Sequence, residues 1–251
     1  MPPADFIAPA AIHSGMTSRL TAVITGASKG IGAAIAQRFV SEGVRVALIA
    51  RTAAPLNAMA TALGDLARAF PCDLTNADAV SDVAKRIVVE LGTAPDMLVN
   101  NAGMFQLASV DAMSPADFST MLQTNLVAPF LLTRALLPAM RARRSGSIVT
   151  VGSVADRTVF PENGAYAASK HGLRALHEAM RQELRGSGVR TTLVSPTAVD
   201  TPLWDAIDPD NRDGFTPRAF MLTAANVADA IWYAASRPPG VNIDELRLSR
   251  S

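Results

Sequence analysis

Two side chains four residues apart, those of Tyr166 and Lys170, could together perform proton-transfer chemistry. Spacing of four places both side chains on one face of a helix. An ammonium group beside a phenol favours the phenolate and lowers the phenol pKa. A tyrosine shifted in this way exchanges protons near neutral pH, as a general acid or base must. The same spacing is common on solvated helices, so the pair predicts chemistry only together with other motifs.

A glycine-rich segment, residues 25–32 with the sequence TGASKGIG, lies between the first apolar run and a helical pattern. Gly26 permits a tight turn, Gly30 lets backbone approach a pyrophosphate, and Gly32 lets helix and strand pack closely. Free N–H groups at a helix start bind anionic phosphates. The spacing differs from the usual Gly-x-Gly-x2-Gly fingerprint, and a simple turn is the alternative. The strand–loop–helix context favours binding of a dinucleotide.

Composition and charge exclude several classes of protein. The chain has 251 residues, a hydrophobic fraction of 49% and a formal net charge of +1, which gives no support for nucleic-acid or anionic-membrane binding. Cys72 is the only cysteine and the histidines form no ligand pattern, so neither a disulfide nor a metal is predicted. No apolar run reaches membrane-spanning length, and the N-terminus lacks signal-peptide features. We expect a soluble cytoplasmic protein.

Short apolar runs alternate with amphipathic stretches along the chain. The predicted strands are Leu20–Thr25, Arg45–Ala50, Ala67–Pro71, Met97–Asn100, Ser147–Val151, Arg190–Val194 and Glu245–Leu248. The helical patterns lie near residues 31–42, 53–63, 77–91, 115–143, 163–186 and 225–236. This alternation predicts an α/β fold: a doubly wound, seven-stranded parallel sheet with helices on both faces. We expect residues 1–17 to be a flexible extension and 18–251 a single Rossmann-like domain, with a substrate loop at about 200–222.

With these motifs in view, the chain resembles the short-chain dehydrogenase/reductase family over about residues 18–249. Besides the glycine-rich loop, the matching motifs are Asn100–Gly103 after the fourth strand, Asn125, Ser153 after the fifth strand, and the tyrosine–lysine pair. The resemblance implies a Rossmann fold and hydride transfer with a nicotinamide cofactor.

The resemblance assigns catalytic roles to four residues. Tyr166 matches the general acid or base, Lys170 the lysine that lowers its pKa and binds the nicotinamide ribose, and Ser153 the serine that polarises the substrate oxygen. Asn125 matches the asparagine whose main-chain carbonyl binds a relay water. Pro129 has no N–H to bond that carbonyl, which supports the assignment; a helix kink without chemical role is the alternative.

The resemblance also implies a set of cofactor contacts. These residues are Gly26, Ser28, Lys29, Gly30, Ile31, Gly32, Arg51, Asp73, Leu74, Asn101, Ala102, Gly103, Tyr166, Lys170, Pro196, Val199 and Thr201. Asp73 would contact the adenine amino group, although a loop or cap residue is an equal interpretation. Thr197 stands where the family usually has glycine after Pro196, which puts the local backbone geometry in doubt.

The end of the second strand indicates which nicotinamide cofactor is preferred. An enzyme that prefers NAD places a carboxylate there for the ribose 2′-hydroxyl, but this chain has Ala50 followed by Arg51. A guanidinium is well shaped to bind a 2′-phosphate, and Lys29 adds a second cation. The sequence therefore predicts preference for NADP(H), with NAD(H) as the alternative cofactor.

The predicted function is reduction of a ketone or aldehyde with NADPH, reversible as oxidation of a secondary alcohol. Residues near the family's substrate walls suggest an apolar or aromatic substrate group, or are simply core: Met104, Phe105, Val159, Phe160, Trp204 and Phe215. Tyr233, the only other tyrosine, is interpreted as a packing residue.

Two alternatives stay open. One is a 3-oxoacyl-[acyl-carrier-protein] reductase, for which basic residues at a helix end are candidate docking groups: Arg134, Arg141, Arg143 and Arg144. The other is a regulator that senses NADP without catalysis; such proteins commonly lose the tyrosine or the lysine, and this chain keeps both. The resemblance further implies a homodimer or homotetramer that pairs through the helices at 115–143 and 163–186.

Overall fold

A twisted parallel sheet of seven strands forms the centre of the computed structural model, which describes residues 19–251. Its strands are β1 (Thr21–Thr25), β2 (Arg45–Ala50), β3 (Ala67–Pro71), β4 (Met97–Asn100), β5 (Gly146–Val151), β6 (Val189–Pro196) and β9 (Glu245–Leu248), in the spatial order β3-β2-β1-β4-β5-β6-β9. Two short strands, β7 (Val199–Asp200) and β8 (Leu222–Thr223), pair with each other outside this sheet. The sheet confirms the predicted doubly wound Rossmann-like fold.

Within residues 19–251, seven α-helices cover the two faces of this sheet. They are α1 (Gly30–Ser41), α2 (Ala53–Leu63), α3 (Ala77–Leu91), α4 (Pro115–Leu122), α5 (Ala128–Arg143), α6 (Gly164–Glu183) and α7 (Ala224–Ala235). Local sequence sets several of their ends. Asn76 caps α3 by accepting from the Ala79 N–H at 3.0 Å, and Ser114 caps α4 immediately before Pro115.

Each face of the sheet has its own hydrophobic core. Ile24 and Leu48 point toward the face covered by α1, α2 and α7, where Phe39 and Ile231 are fully buried. Their sequence neighbours point the other way: Val23, for example, packs toward α3 and α5. Because both faces are covered, the central strands are apolar throughout rather than alternating, which explains the continuous apolar runs of the sequence.

The helical stretch predicted at 115–143 differs from a single α-helix. A π-helical turn, Gln123–Val127, separates α4 from α5. The Ala128 N–H reaches back five residues to the carbonyl of Gln123, and Pro129, which follows it, has no N–H to continue the α-helical pattern. The wide turn places Asn125 at the centre of the molecule, where it is fully buried.

The segment at 200–222, predicted as the least regular part of the chain, contains local structure. The short strands β7 and β8 pair in parallel at its two ends. Between them, Arg218 forms ion pairs with Asp200 at 2.8 Å and with Asp205 at 2.7 Å, so one guanidinium ties the segment together. Strand β6 also runs two residues further than predicted.

The expected N-terminal extension, residues 1–17, lies outside the described residues. Across residues 19–251, none of the helices combines the length and hydropathy that a membrane crossing requires. Cys72 is buried just after β3. The interpretation of Tyr233 as a packing residue is wrong: its side chain is 52% exposed, and the Arg237 guanidinium lies over its ring.

Candidate functional site

The candidate site lies at the carboxyl edge of the sheet, where its winding reverses. Strands β1 and β4 are neighbours, and the chain winds from β1 toward β3 on one side and from β4 toward β9 on the other. The loops after these strands therefore diverge and leave a crevice, the usual ligand position in such sheets. The glycine-rich loop follows β1, Asn101 follows β4, and Ser153 comes shortly after β5.

Thr25, the last residue of β1, ties the first two of these loops together. Its hydroxyl oxygen accepts hydrogen bonds from the N–H groups of Asn101 and Ala102, both at 2.9 Å. Asn101 Nδ2 in turn donates to the Thr25 carbonyl at 2.8 Å. A Cβ added to Gly32 would lie 2.2 Å from the Gly26 carbonyl oxygen, so only glycine fits there. The loop therefore has a fixed shape before any ligand binds.

The start of α1 fits a phosphate group. Lys29 is the N-cap residue and its side chain makes no capping hydrogen bond, so the first-turn amides receive no side-chain acceptor. A Cβ on Gly30 would be 3.4 Å from the Thr201 side chain, which therefore lies over this turn. Lys29 and Arg51 are exposed, and neither forms an ion pair with any residue of the range 19–251. These cations carry no ion pair within that range, and the turn at the start of α1 has free amides, so both features suit a phosphorylated nucleotide.

Asp73 and Leu74, the two residues predicted to lie near the adenine, differ in exposure. Asp73 is exposed, and hydrogen bonds from the backbone and hydroxyl of Thr75 lower its pKa, with a further contribution from the charge of Arg51. Arg51 and Asp73 therefore lie on one side of the crevice. Leu74 is 8% exposed and packs in the hydrophobic core. Its side chain faces the core, which leaves its backbone for the predicted contact.

The loop after β6 has no need of the glycine that Thr197 replaces. Thr197 does not adopt a positive φ, and its N–H donates to the Leu248 carbonyl at 2.9 Å. Pro196 ends β6, and Val199 accepts a hydrogen bond from Trp204 Nε1 at 3.1 Å. The backbone around Thr197 is thus ordinary and anchored, which removes the doubt raised by the sequence.

Three predicted catalytic residues meet at the start of α6. Ser153 caps a short 3₁₀ turn, with its hydroxyl oxygen accepting from the Ala155 N–H at 3.2 Å. Lys170 is 4% exposed and donates from Nζ to the Val151 carbonyl at 2.9 Å. Its Nζ lies 5.7 Å from the centre of the Tyr166 ring. The structure therefore brings together the groups that sequence spacing paired.

The pKa of Tyr166 is raised in the protein chain alone, whereas the sequence predicted a fall. Burial raises the pKa of Tyr166 to about 12; its contact with Ser153 opposes the rise, and the charge of Asp156 adds to it. Burial lowers the pKa of Lys170 to about 8, opposed by the charge of Asp156. Desolvation is the largest cause of both shifts because both groups are enclosed. The chain's own groups keep Tyr166 a phenol at neutral pH.

The side chain of Asn125 is fully used inside the protein. Its Oδ1 accepts from the Met104 N–H at 2.8 Å, and its Nδ2 donates to the Met104 carbonyl at 2.9 Å and to the Ser169 hydroxyl at 3.0 Å. Ser169 then donates to the Tyr166 carbonyl at 2.7 Å. Asn125 thus joins the loop after β4 to the catalytic helix, and only its main-chain carbonyl is left for the predicted water.

A row of aromatic rings, all predicted to lie near the substrate, begins at the Tyr166 ring. Phe105 meets the Tyr166 ring edge-on with centroids 4.7 Å apart, and Trp204 continues from Phe105 at 5.3 Å. Phe215 follows Trp204 at 6.3 Å. Val159 and Phe160, by contrast, are 70% and 49% exposed on the surface.

Sequence reasoning missed several polar residues that hold the site. They are Thr25, Ser169, Asp156 and Ser195, whose bonds to other residues of the site are buried or half-buried. Asp156 had a readable signal, because Ser153 and Asp156 have the spacing of a capping box. The other three pair with residues far away in the chain and leave no local pattern.

Comparison with known proteins agrees with this geometry. A sequence model of the family described as short chain dehydrogenase matches residues 20–212. An uncharacterised oxidoreductase of Staphylococcus epidermidis is 31% identical over 227 residues, which are 90% of this chain and 95% of that protein. A metagenomic short-chain oxidoreductase, solved in complex with NADP, is 33% identical and covers 92% of this chain and 97% of its own, with a TM-score of 0.79. Actinorhodin polyketide ketoreductase, solved with NADPH, is 26% identical over 92% of this chain and 96% of its own, with a TM-score of 0.85. With its parallel sheet, its glycine-rich loop and its serine, tyrosine and lysine at one corner, this chain belongs to the short-chain dehydrogenase/reductase family of oxidoreductases.

Proposed function

We propose that this protein is an NADP(H)-dependent oxidoreductase that interconverts a ketone or aldehyde and the corresponding alcohol. The observation that carries the proposal is the meeting of Ser153, Tyr166 and Lys170 at the sheet edge that also presents the phosphate-binding turn. When bound, the nicotinamide supplies the hydride for reduction or accepts it in the reverse direction.

The protein's own groups suit the handling of the substrate oxygen. The Ser153 oxygen accepts a hydrogen bond from the backbone. Its hydroxyl is in hydrogen-bond contact with Tyr166 and can donate its proton to a carbonyl oxygen that gains negative charge. Because burial raises the pKa of Tyr166, this residue carries a proton at neutral pH and can give it to the same oxygen. Lys170 is fixed by the Val151 carbonyl beside the tyrosine ring.

Preference for NADP(H) is supported by the two unpaired cations, Lys29 and Arg51. The neighbours solved with NADP and NADPH add a second, independent line of support. Comparison of kcat/KM for NADPH and for NADH tests the preference. Equal values for the two cofactors would contradict it.

An apolar or aromatic group next to the reactive carbonyl is the substrate chemistry that fits best. Phe105, Trp204 and Phe215 present ring surface rather than charge beside Tyr166. We expect aryl and cyclic ketones to be reduced with higher kcat/KM than small polar ketones of similar reactivity. A preference for charged, flexible substrates would contradict this assignment.

A carrier-protein substrate receives little support from three of the four arginines proposed to dock it. Arg141 and Arg144 donate to the carbonyls of Glu183 and Gly186, and Arg143 pairs with Asp96 at 3.2 Å. All three lie at the end of α5 beside the start of β5, the sheet edge opposite the catalytic residues. A docked carrier there would deliver its acyl group to the wrong side of the sheet.

The segment at 200–222 is proposed as a lid over cofactor and substrate. Limited proteolysis with and without NADPH tests this, with protection of the segment expected on binding. We also propose that the protein is a homodimer or homotetramer, paired through α4, α5 and α6, because Phe118 and Phe130 are 41% and 45% exposed on these helices. Sedimentation as a monomer at micromolar concentration would contradict the assembly.

The experiment that tests the function is a panel of carbonyl substrates followed by NADPH absorbance, run in parallel with Tyr166→Phe. Turnover by the wild type and its loss in the variant are expected. Binding of NADPH without turnover of any substrate would favour the alternative of a non-catalytic sensor.

A further inference from the structure

A buried carboxylate to which the proposed reaction gives no part lies directly behind the catalytic serine. Asp156 is 0% exposed. Its Oδ2 accepts from the Ser195 hydroxyl and, at 3.4 Å, from the backbone N–H of Ser153. Its Oδ1 accepts from Arg157 Nε at 2.7 Å. A carboxylate with this many partners is held in one orientation, and one of those partners is the residue that positions the substrate oxygen.

The fold makes room for this carboxylate. A Cβ added to Gly152 would lie 2.6 Å from Asp156 Oδ2 and 2.7 Å from the Ser195 hydroxyl, so only glycine permits the arrangement at the end of β5. Arg157 continues outward to Glu245 at 2.6 Å. The charges therefore alternate from the buried Asp156 toward the surface, which offsets the cost of enclosing a carboxylate.

The charge of Asp156 is felt at both proton-carrying groups of the site. It raises the pKa of Tyr166 and it raises the pKa of Lys170. Within residues 19–251 no other ionised side chain has a resolved effect on either group. The remaining neighbours from the π-helical turn and the loop after β4 are neutral, namely Asn125 and Phe105.

We propose that Asp156 is a positioning residue, which fixes Ser153 through its backbone N–H and places a buried negative charge behind the group formed by Ser153, Tyr166 and Lys170. The inference rests on the proposed function for its meaning in catalysis. It states a physical effect, however, that is measurable without any substrate.

The direct test is titration of Tyr166 by its phenolate absorbance in a Tyr233→Phe background, where it is the only tyrosine of the chain. Asp156→Asn removes the charge and keeps an oxygen that accepts from Ser153. We expect it to lower the midpoint of Tyr166 ionisation by roughly one pH unit. The matched control is Asp96→Asn, which removes another carboxylate paired with an arginine at the opposite sheet edge. An unchanged midpoint in Asp156→Asn, or an equal shift in the control, would overturn the inference.

Kinetics supply a second readout with a defined sign. In Asp156→Asn both groups lose their protons at lower pH, so the alkaline fall of kcat/KM for reduction is expected to begin at lower pH. Arg157→Gln, at a less buried position, leaves the carboxylate uncompensated and should move both the midpoint and the alkaline fall to higher pH. This variant decides the matter if Asp156→Asn does not fold, and a shift in the wrong direction would overturn the inference. Absence of turnover with every substrate would refute the proposed function. The absorbance titration would still test the effect of Asp156 on Tyr166, because it needs no substrate.

Discussion

The site has two halves: the proposed catalytic half around Tyr166 and Lys170, and the proposed phosphate half around Lys29 and Arg51. The charged groups of the two halves differ in whether they have partners within the protein. Lys170 is buried and bonded to the Val151 carbonyl, and Asp156 is paired inside the protein. Lys29 and Arg51 are exposed, and no residue of the described part of the chain forms an ion pair with them. The protein alone therefore positions the groups proposed for catalysis, whereas the cations proposed to bind phosphate have no partner in the described part of the chain. Variants in the catalytic half should therefore lose turnover, and variants in the phosphate half should lose affinity for the cofactor.

Removal of the proton donor should have the largest effect and tests the buried half. We expect Tyr166→Phe to lower kcat/KM for carbonyl reduction by roughly 10³-fold, the usual range for loss of a general acid. Binding of NADPH, followed by fluorescence titration, should change little. Tyr233→Phe, at an exposed position, serves as the control and should keep full turnover. A Tyr166→Phe enzyme that retained most of its activity would place the chemistry elsewhere.

Helix α6, which carries the catalytic pair, should make the stability of the buried half depend on pH. His177 is 3% exposed and its Nδ1 lies 2.9 Å from the Thr150 hydroxyl. Burial lowers the pKa of His177 from 6.5 to about 4. Between these values the unfolded chain binds a proton that the folded chain does not, so stability falls as pH falls. The loss amounts to about 3 kcal/mol by pH 4.

Urea unfolding of the wild type and of His177→Gln at neutral and acidic pH measures this contribution. The variant should lose less stability on acidification, by up to that amount. His171→Gln, at an exposed position of the same helix, should follow the wild type. An equal loss of unfolding free energy on acidification in all three proteins would show that His177 does not make stability depend on pH.

The exposed half should respond through cofactor affinity and leave the chemical step intact. Loss of charge-assisted hydrogen bonds to a phosphate in Arg51→Ala is expected to raise KM for NADPH about 10- to 100-fold. The kcat value and the KM for NADH should be nearly unchanged. Arg134→Ala, an exposed arginine on α5, is the matched control. Equal effects of Arg51→Ala on both cofactors would mean that Arg51 does not read the 2′-phosphate.

The smallest effect on kinetics is expected at Phe105, which is proposed to contact the substrate. Phe105→Leu keeps apolar volume but removes the edge-on ring contact with Tyr166, which is worth about 1 kcal/mol. We expect KM for an aryl ketone to rise about 5-fold while KM for NADPH stays constant. A change in cofactor KM of the same size would show that Phe105 supports the fold of the crevice and not the substrate.

Local sequence gave the strands, the helices and the motifs of the site because each depends on neighbours in the chain. The continuous apolar strands indicated a covered parallel sheet, and Gly32 indicated close packing of helix against strand. The π-helical turn around Asn125 escaped prediction as a turn, although Pro129 pointed to the disturbed hydrogen bond. The missing N–H of Pro129 shows where the α-helical hydrogen bonds stop. Tertiary packing decides that a π-helical turn takes their place.

The sequence by itself determined the order of elements, the glycine-rich turn, and the Tyr166–Lys170 spacing, since these follow from periodicity and from the geometry of a few adjacent residues. Only the tertiary structure decided how acidic those two groups are. Burial and the charge of Asp156 depend on what folds around them, and they raise the pKa of Tyr166 where spacing alone predicted a fall. Proton affinity at this site is therefore governed by enclosure, which no local pattern of residues specifies.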